Sequence, residues 1–161
     1  DEYRIEMYPR VGPVGMGTDS AGHPTSPALV IRRDLPPVPV PRAERRAARK
    51  RMEEQVRARA EEGGSSPQVP RVAEFKPPIK SVAIGEDGRI WVEVSLPSVL
   101  EDGEWTEPKA YDVFEPDGQY LGRVPTPTRF YPRWMKGDRV WGVLHGEYGQ
   151  ESVRRYHVRW P

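Results

Sequence analysis

The sequence contains no cysteine, so it can form no disulfide, no thiol nucleophile and no thiolate metal site. It also lacks any run of about 18 apolar residues, the length that a transmembrane helix needs. Neither sign of charge dominates: 25 Lys and Arg stand against 24 Asp and Glu, and a net charge of +1 argues against nucleic acid as the main partner. Aromatic residues are scarce before residue 75, which places the folding capacity in the second half of the chain.

Proline and glycine are abundant, with 19 and 15 residues, whereas hydrophobic residues make up only 36% of the chain. This composition does not favour one large core. Residues 1–41 are predicted to be an extended arm with short strands at 3–8 and 28–32, separated by turn-rich sequence at 12–17 and 19–24. Segment 35–41 is predicted to be polyproline II, because each proline fixes φ and disfavours helix in the preceding residue. Such an arm cannot bury itself, so we expect it to dock on another surface through Pro36, Pro37, Pro39 and Pro41.

Residues 42–62 are predicted to form one charged helix, which begins after Pro41 and ends before two glycines. A narrow apolar stripe on one face of this helix consists of Ala48, Met52, Val56 and Ala60. A basic run predicts contact with an acidic protein surface through Arg45, Arg46, Arg49, Lys50 and Arg51. The alternatives are a solvated helix of mixed charge, an anionic membrane surface and a dedicated nucleic-acid site. Residues 63–78 are predicted to be a linker.

Residues 79–161 are predicted to be a β domain. Turn signals at 86–88, 116–118, 137–138 and 147–149 each separate two alternating segments, which indicates four hairpin-like units. This is material for about two four-stranded sheets at about 40–45 residues each, the repeat of a propeller blade. Beside turn glycines, Asp87, Asp117 and Asp138 are predicted to shape the turns. The strand aromatics expected in the core are Trp91, Trp134, Trp141, Trp160, Phe114, Tyr120 and Tyr156.

Few residues point to chemistry. The three histidines, His23, His145 and His157, lack metal-ligand spacing, and no nucleotide-binding or hydrolase motif occurs. The sequence therefore predicts no enzyme, no metal and no cofactor. Trp105 lies in a Glu-rich segment without a strand pattern and is expected to be a loop residue that anchors a protein or membrane interface.

Segments 82–92 (VAIGEDGRIWV) and 111–124 (YDVFEPDGQYLGRV) resemble bacterial six-bladed β-propellers of the NHL-like kind, and so does 137–143. The resemblance implies antiparallel blades. A propeller closes with about four to eight of them, which protects the sheet edges. With about two blades, the chain is expected to be either the C-terminal portion of a longer propeller or a truncated relative whose open edges are covered by partners.

The resemblance also implies export, to the periplasm or another extracytoplasmic surface peripheral to a membrane. We expect a non-enzymatic structural subunit bound to the protein subunits of a larger complex, for which a photosynthetic reaction-centre or antenna assembly is one setting. Contact with the membrane surface is compatible with this role, and no nucleic acid or small-molecule substrate is expected. The alternative is the C-terminal part of a soluble, ligand-binding propeller. A propeller hydrolase would require a metal centre that these residues do not supply.

Overall fold

The structure, a computed structural model, describes residues 2–8, 26–61 and 68–160. The turns predicted at 12–17 and 19–24, His23 and the predicted helix end at residue 62 lie outside these residues. The described residues form one helix and eleven strands: β1 (Glu2–Met7), β2 (Leu29–Asp34), α1 (Arg42–Glu61), β3 (Ile79–Ile84), β4 (Ile90–Val94), β5 (Val99–Glu101), β6 (Glu104–Thr106), β7 (Lys109–Phe114), β8 (Tyr120–Thr126), β9 (Phe130–Lys136), β10 (Arg139–His145) and β11 (Glu151–His157).

All strand pairs are antiparallel. A four-stranded sheet has the order β3-β4-β7-β8, and a three-stranded sheet has the order β11-β10-β9. Strands β1 and β2 pair with each other, and β5 and β6 form a short hairpin inserted between β4 and β7. The predicted fold class is confirmed, because the chain is mainly β and antiparallel with one charged helix.

The tight turns of two hairpins form at Asp-Gly pairs. Gly88 and Gly118 have φ values of 82° and 91°, a conformation that residues with a Cβ rarely adopt. The carboxylates of Asp87 and Asp117 accept hydrogen bonds from the amides two residues later, at 3.3 and 3.0 Å. These two aspartates shape their turns as predicted, whereas the carboxylate of Asp138 lies 3.4 Å from the imidazole of His157.

The sheets stack in three layers, with the four-stranded sheet in the middle. Its strands β4 and β7 are buried on both faces, as their nearly continuous apolar sequences require. One face packs on the β1–β2 hairpin through a cluster that includes Tyr3, Ile31 and Val92. The other face packs on the three-stranded sheet through a cluster that includes Trp91 and Phe130. Strands β1 and β2 of the predicted arm are therefore covered on one side by the chain's own sheet.

Helix α1 lies beside the stack and buries none of its residues fully. Ala48, Met52 and Val56 of the predicted stripe are half-buried, and Ala60 is exposed. Met52 and Val56 line a cleft with Pro70, so this part of the stripe faces the segment that follows the helix rather than a sheet. The helix is too polar to cross a membrane, and it is the one helix in the described part of the chain.

Three predictions are corrected by the structure. Trp105 does not lie in a loop: it belongs to β6, where it is half-buried and pairs with Leu100 of β5. The second predicted four-stranded sheet has three strands among the described residues, because β10 pairs with both β9 and β11. Two aromatic residues expected in the core, Trp134 and Tyr120, are 39% and 38% exposed. Trp134 has no sheet over it, since it lies on the outer side of the stack.

Candidate functional site

A groove rich in arginine lies between α1 and residues 69–74. Four arginines of the helix line it at positions i, i+3, i+4 and i+7, which share one face of a helix: Arg42, Arg45, Arg46 and Arg49. Arg71 and Glu74 line the opposite side, together with Val69, Pro70 and Val72, and the groove encloses about 850 Å³. We call it the arginine groove. It holds five guanidinium groups and one carboxylate, although the chain as a whole is nearly neutral.

Only two of these five arginines have an ion-pair partner. Arg45 lies 3.1 Å from Glu74, and Arg49 lies 2.8 Å from Glu53 one helical turn further on. Arg42, Arg46 and Arg71 form no ion pair with any residue in the described ranges.

Of the predicted basic run, the structure thus brings Arg45, Arg46 and Arg49 to one groove. Lys50 lies outside it and pairs weakly with Glu54 at 3.9 Å, and Arg51 is exposed outside it as well. Arg42 and Arg71 were not among the predicted site residues. Helical spacing could have added Arg42, whereas Arg71 reaches the groove only through the tertiary fold.

The proline-rich segment holds the first turn of α1 next to residues 74–76. The amide of Val40 donates to the carbonyl of Glu74, and the amide of Lys76 donates to the carbonyl of Val38, both at 2.9 Å. Pro39, which has no amide to donate, stands between the two valines in a bridge to Phe75. Of the four predicted docking prolines, Pro36, Pro37 and Pro39 are exposed, and Pro41 is half-buried. The segment therefore docks on its own chain and leaves most prolines outward.

A partly buried ionic junction fixes the same region to the end of the β5–β6 hairpin. The carboxylate of Glu107 accepts hydrogen bonds from Lys76 at 2.9 Å and from the Leu96 amide at 2.8 Å, and Lys80 lies 2.7 Å away. Burial alone would raise the pKa of Glu107, but the bonds from Lys80, Leu96 and Lys76 outweigh burial and hold the pKa below its ordinary value. This carboxylate therefore remains ionised in the folded protein at neutral pH.

Helix α1 is tied into this junction by Glu44 in its first turn. Ser98 donates a hydrogen bond to Glu44 at 2.9 Å, and Lys76 donates to the Ser98 hydroxyl at 2.6 Å. The second carboxylate oxygen of Glu44 is buried without a hydrogen-bond partner. This network anchors the N-terminal end of α1, and with it the arginine groove, to Lys80 of β3 and to Glu107, the residue after β6.

A second candidate surface is the outer side of the three-stranded sheet. Cross-strand pairs place Trp134 beside Trp141 and Tyr131 beside Val143, and Val143 is also paired with Val153 of β11. The two tryptophan rings meet edge to face, with centroids 4.2 Å apart. We call these five residues the aromatic face. Tyr131 is 41% exposed and Val153 is 78% exposed, so no sheet of the described chain covers this face.

The opposite end of the stack has a different outer surface. On the β1–β2 hairpin, Tyr3 and Ile31 point inward, and the outward cross-strand pairs are Arg4 with Arg32 and Glu6 with Val30. Arg4 and Glu6 form an ion pair at 2.5 Å. One end of the stack thus presents charged residues to water, whereas the other presents the aromatic face next to basic residues such as Arg155, which pairs with Trp141.

Asp112 is the one fully buried carboxylate among the described residues, and it lies in the middle of β7. Arg123 donates to both of its oxygens, at 2.7 and 3.1 Å, and Arg33 lies 3.4 Å away. The hydroxyls of Tyr3 and Tyr120 lie at 3.4 Å. Burial, followed by the negative charge of Asp112, raises the pKa of Tyr3. Both oxygens of the carboxylate contact protein groups of three strands, which makes Asp112 a structural clasp between two layers.

A smaller apolar groove of about 360 Å³ runs along β11, and its lining includes Val124, Phe130, Val140, Tyr156 and Val158. Strands β11 and β8 are both edge strands of their sheets. The groove lies between residues 123–127 at the end of β8 and residues 156–159 at the end of β11. An unpaired edge beside apolar residues favours the addition of a strand.

The described residues contain no group of three or more His, Asp or Glu side chains placed to bind a metal ion. No protein-family model matches the chain, and no match was found among the curated proteins or the solved structures.

Proposed function

We propose that the chain is a non-enzymatic structural subunit that docks through the aromatic face on a larger protein assembly. The observation that carries this proposal is the asymmetry of the stack. The β1–β2 end has a charged outer side suited to water, whereas the β9–β11 end leaves Trp134, Tyr131 and Val153 exposed. Aromatic residues are enriched at protein interfaces and supply much of the binding energy there.

The inner side of the three-stranded sheet already forms an apolar interface between two sheets of this chain. Phe130, Met135 and Val140 pack against Trp91 and its neighbours to join two sheets within the chain. The aromatic face carries residues of the same kind on the opposite side of the same strands. Sheets that pack face to face lie about 10 Å apart and bury residues of both inner faces. A partner sheet, or another flat apolar surface, would cover this face in the same way.

We place the assembly outside the cytoplasm and peripheral to a membrane, as the propeller resemblance implies, with a photosynthetic reaction-centre or antenna complex as one setting. Half-buried Trp105 and the exposed prolines Pro36, Pro37 and Pro39 would be secondary contacts of such a subunit. Fractionation of cells that express the chain tests the location. Recovery with periplasmic or washed-membrane fractions is expected, and recovery in the cytosol alone would contradict it.

The docking proposal is tested with two matched charge insertions. Val153→Glu places a carboxylate on the aromatic face, and Val30→Glu places one on the charged outer side of the β1–β2 hairpin. Each protein is expressed in its natural host, and the mass of the native particle that contains it is measured. We expect Val153→Glu to release the chain as a free subunit and Val30→Glu to remain in a large particle. Retention of both variants, or a wild-type chain that migrates alone, would contradict the proposal.

A second candidate is the C-terminal part of a soluble, ligand-binding propeller. Three antiparallel layers stacked face to face are what consecutive blades of a propeller form, and β11 lies at an edge of its sheet, which is where the fourth strand of a blade would pair. The mass of the native polypeptide separates the candidates. A polypeptide of at least twice 18.4 kDa favours this second candidate, and one close to that mass favours the docking subunit.

A further inference from the structure

The charge of this protein is unevenly distributed, although its sum is close to zero. Some arginines elsewhere lie against carboxylates, as with Arg89 and Glu115 at 2.9 Å or Arg123 and Asp112 at 2.7 Å. In the arginine groove, by contrast, Arg42, Arg46 and Arg71 share one concave surface and form no ion pair with a described residue. Like charges held together repel one another, so an anion that binds between them gains from all three.

Guanidinium groups favour oxyanions of a particular shape. Each presents a planar fork of N–H donors that matches a carboxylate or phosphate in two-point contact. The groove of about 850 Å³ is too large for one such group, and Val69, Pro70 and Val72 give part of its wall an apolar character. A ligand that fits it is elongated and carries several oxyanions alongside apolar groups.

Two classes of polyanion fit this groove poorly. Proteins that bind single-stranded nucleic acid place aromatic side chains for base stacking, and the groove has no aromatic residue in its lining. Membrane-binding basic segments lie on a flat or convex surface with exposed bulky apolar residues. Here the basic side chains line a cleft between a helix and residues 69–74, and the apolar residues are one proline and two valines.

We propose that the arginine groove binds an acidic peptide segment of a partner protein, with Arg42, Arg46 and Arg71 contacting its carboxylates. This rests on the proposed docking role insofar as the peptide belongs to a docked partner, but it uses a different surface from the aromatic face. Arg45 and Arg49 also line the groove, but they are already paired with Glu74 and Glu53.

The test measures fluorescence anisotropy of a labelled peptide of alternating Glu and Ala residues, added to the full chain. The same peptide with Gln in place of Glu is the ligand control. Arg46→Ala and Arg71→Ala remove one guanidinium each from opposite walls, and Arg51→Ala removes one from the same helix outside the groove. Because these side chains are exposed, the variants should fold, and circular dichroism checks this.

We expect the Glu peptide to bind, the Gln peptide not to bind, and added salt to weaken the complex. Arg46→Ala and Arg71→Ala should each raise Kd about tenfold, the effect of losing one charge-assisted hydrogen bond, and Arg51→Ala should leave Kd within about twofold. Absence of binding, or equal loss in all three variants, would overturn the proposal. So would tighter, Arg46-dependent binding of oligothymidylate or of phosphatidylserine vesicles.

Failure of this test and failure of the docking proposal are distinguishable. If the peptide does not bind but Val153→Glu still releases the chain from its particle, the groove proposal fails alone. If the peptide binds with the expected variant pattern and the wild-type chain migrates alone, the docking proposal fails alone.

Discussion

Substitution of Asp112 by alanine should loosen the attachment of the β1–β2 hairpin to the central sheet. Asp112 lies in β7, Arg33 and Tyr3 belong to the hairpin, and Arg123 belongs to β8, so one carboxylate joins two layers. Removing it leaves two guanidinium groups that face each other across an apolar site. Breaking a buried ion pair from one side typically costs about 3–5 kcal/mol.

The structure sets the expected loss at the lower end of this range. The side chains of Arg123 and Arg33 are 36% and 28% exposed, so water can reach both after the carboxylate is gone. Only the two bonds from Arg123 are short, and the other three contacts of the carboxylate are all 3.4 Å long. We therefore expect a loss of about 3 kcal/mol in the free energy of unfolding. For a domain of this size that lowers Tm by about 6–12 °C.

Urea unfolding followed by tryptophan fluorescence measures the loss, and Asp117→Ala is the matched control. Asp117 is an exposed turn residue with one backbone hydrogen bond, so its substitution should cost less than about 1 kcal/mol. Hydrogen exchange should show that amides of β1 and β2 lose more protection than those of β10. A loss for Asp112→Ala no larger than for Asp117→Ala would refute the assignment of Asp112 as a clasp between layers.

Three further predictions concern Glu107, Gly142 and Tyr111. Glu107→Gln should destabilise the protein at neutral pH, and urea titrations should show this difference shrinking as pH falls below about 4.5, because the lowered folded-state pKa makes the ionised form the stabilising one. Urea unfolding of Gly142→Ala should show a loss of about 1–3 kcal/mol, since the added Cβ would overlap the Tyr131 carbonyl and, at 2.6 Å, the Phe130 ring. Burial, helped by Glu93, raises the pKa of Tyr111 to about 12, so ultraviolet titration should detect its phenolate after the exposed tyrosines have ionised. Its contribution to stability should be full below pH 10 and lost as pH rises toward 12.

The strands were predictable where local signals agree. Gly88 and Gly118 stand at turns that only a positive φ can close, and the alternating segments around them leave one register for each hairpin. The same signal, Asp102-Gly103, marks the turn of the β5–β6 hairpin, with φ values of 50° and 81°. That hairpin was not predicted, because its strands have three residues each, too few to show an alternation of apolar and polar residues.

The candidate surfaces were harder to predict, because they depend on distant parts of the chain. Asp112 stands inside the apolar sequence of β7, which indicates that its carboxylate is buried and paired. The neighbouring sequence does not indicate that its partners are Arg33 and Arg123. Whether Trp134 is buried or exposed depends on which side of its sheet another layer covers. Arg71 and Arg46 are 25 positions apart in the sequence, and only the path of the intervening chain sets them on facing walls.

The difference between the two ends of the stack limits how the molecule can grow into larger structures. A chain with apolar faces at both ends could add copies without limit and form a fibre. In this chain the aromatic face lies at one end of the stack, and the other end is charged. Two copies without a partner would meet with aromatic face against aromatic face, which is a two-fold, self-closing contact. Such a pair would bury both aromatic faces and leave the charged outer sides of the two β1–β2 hairpins at its ends. The Arg4–Glu6 ion pair and its charged neighbours thus form a solvated surface on which no further copy stacks.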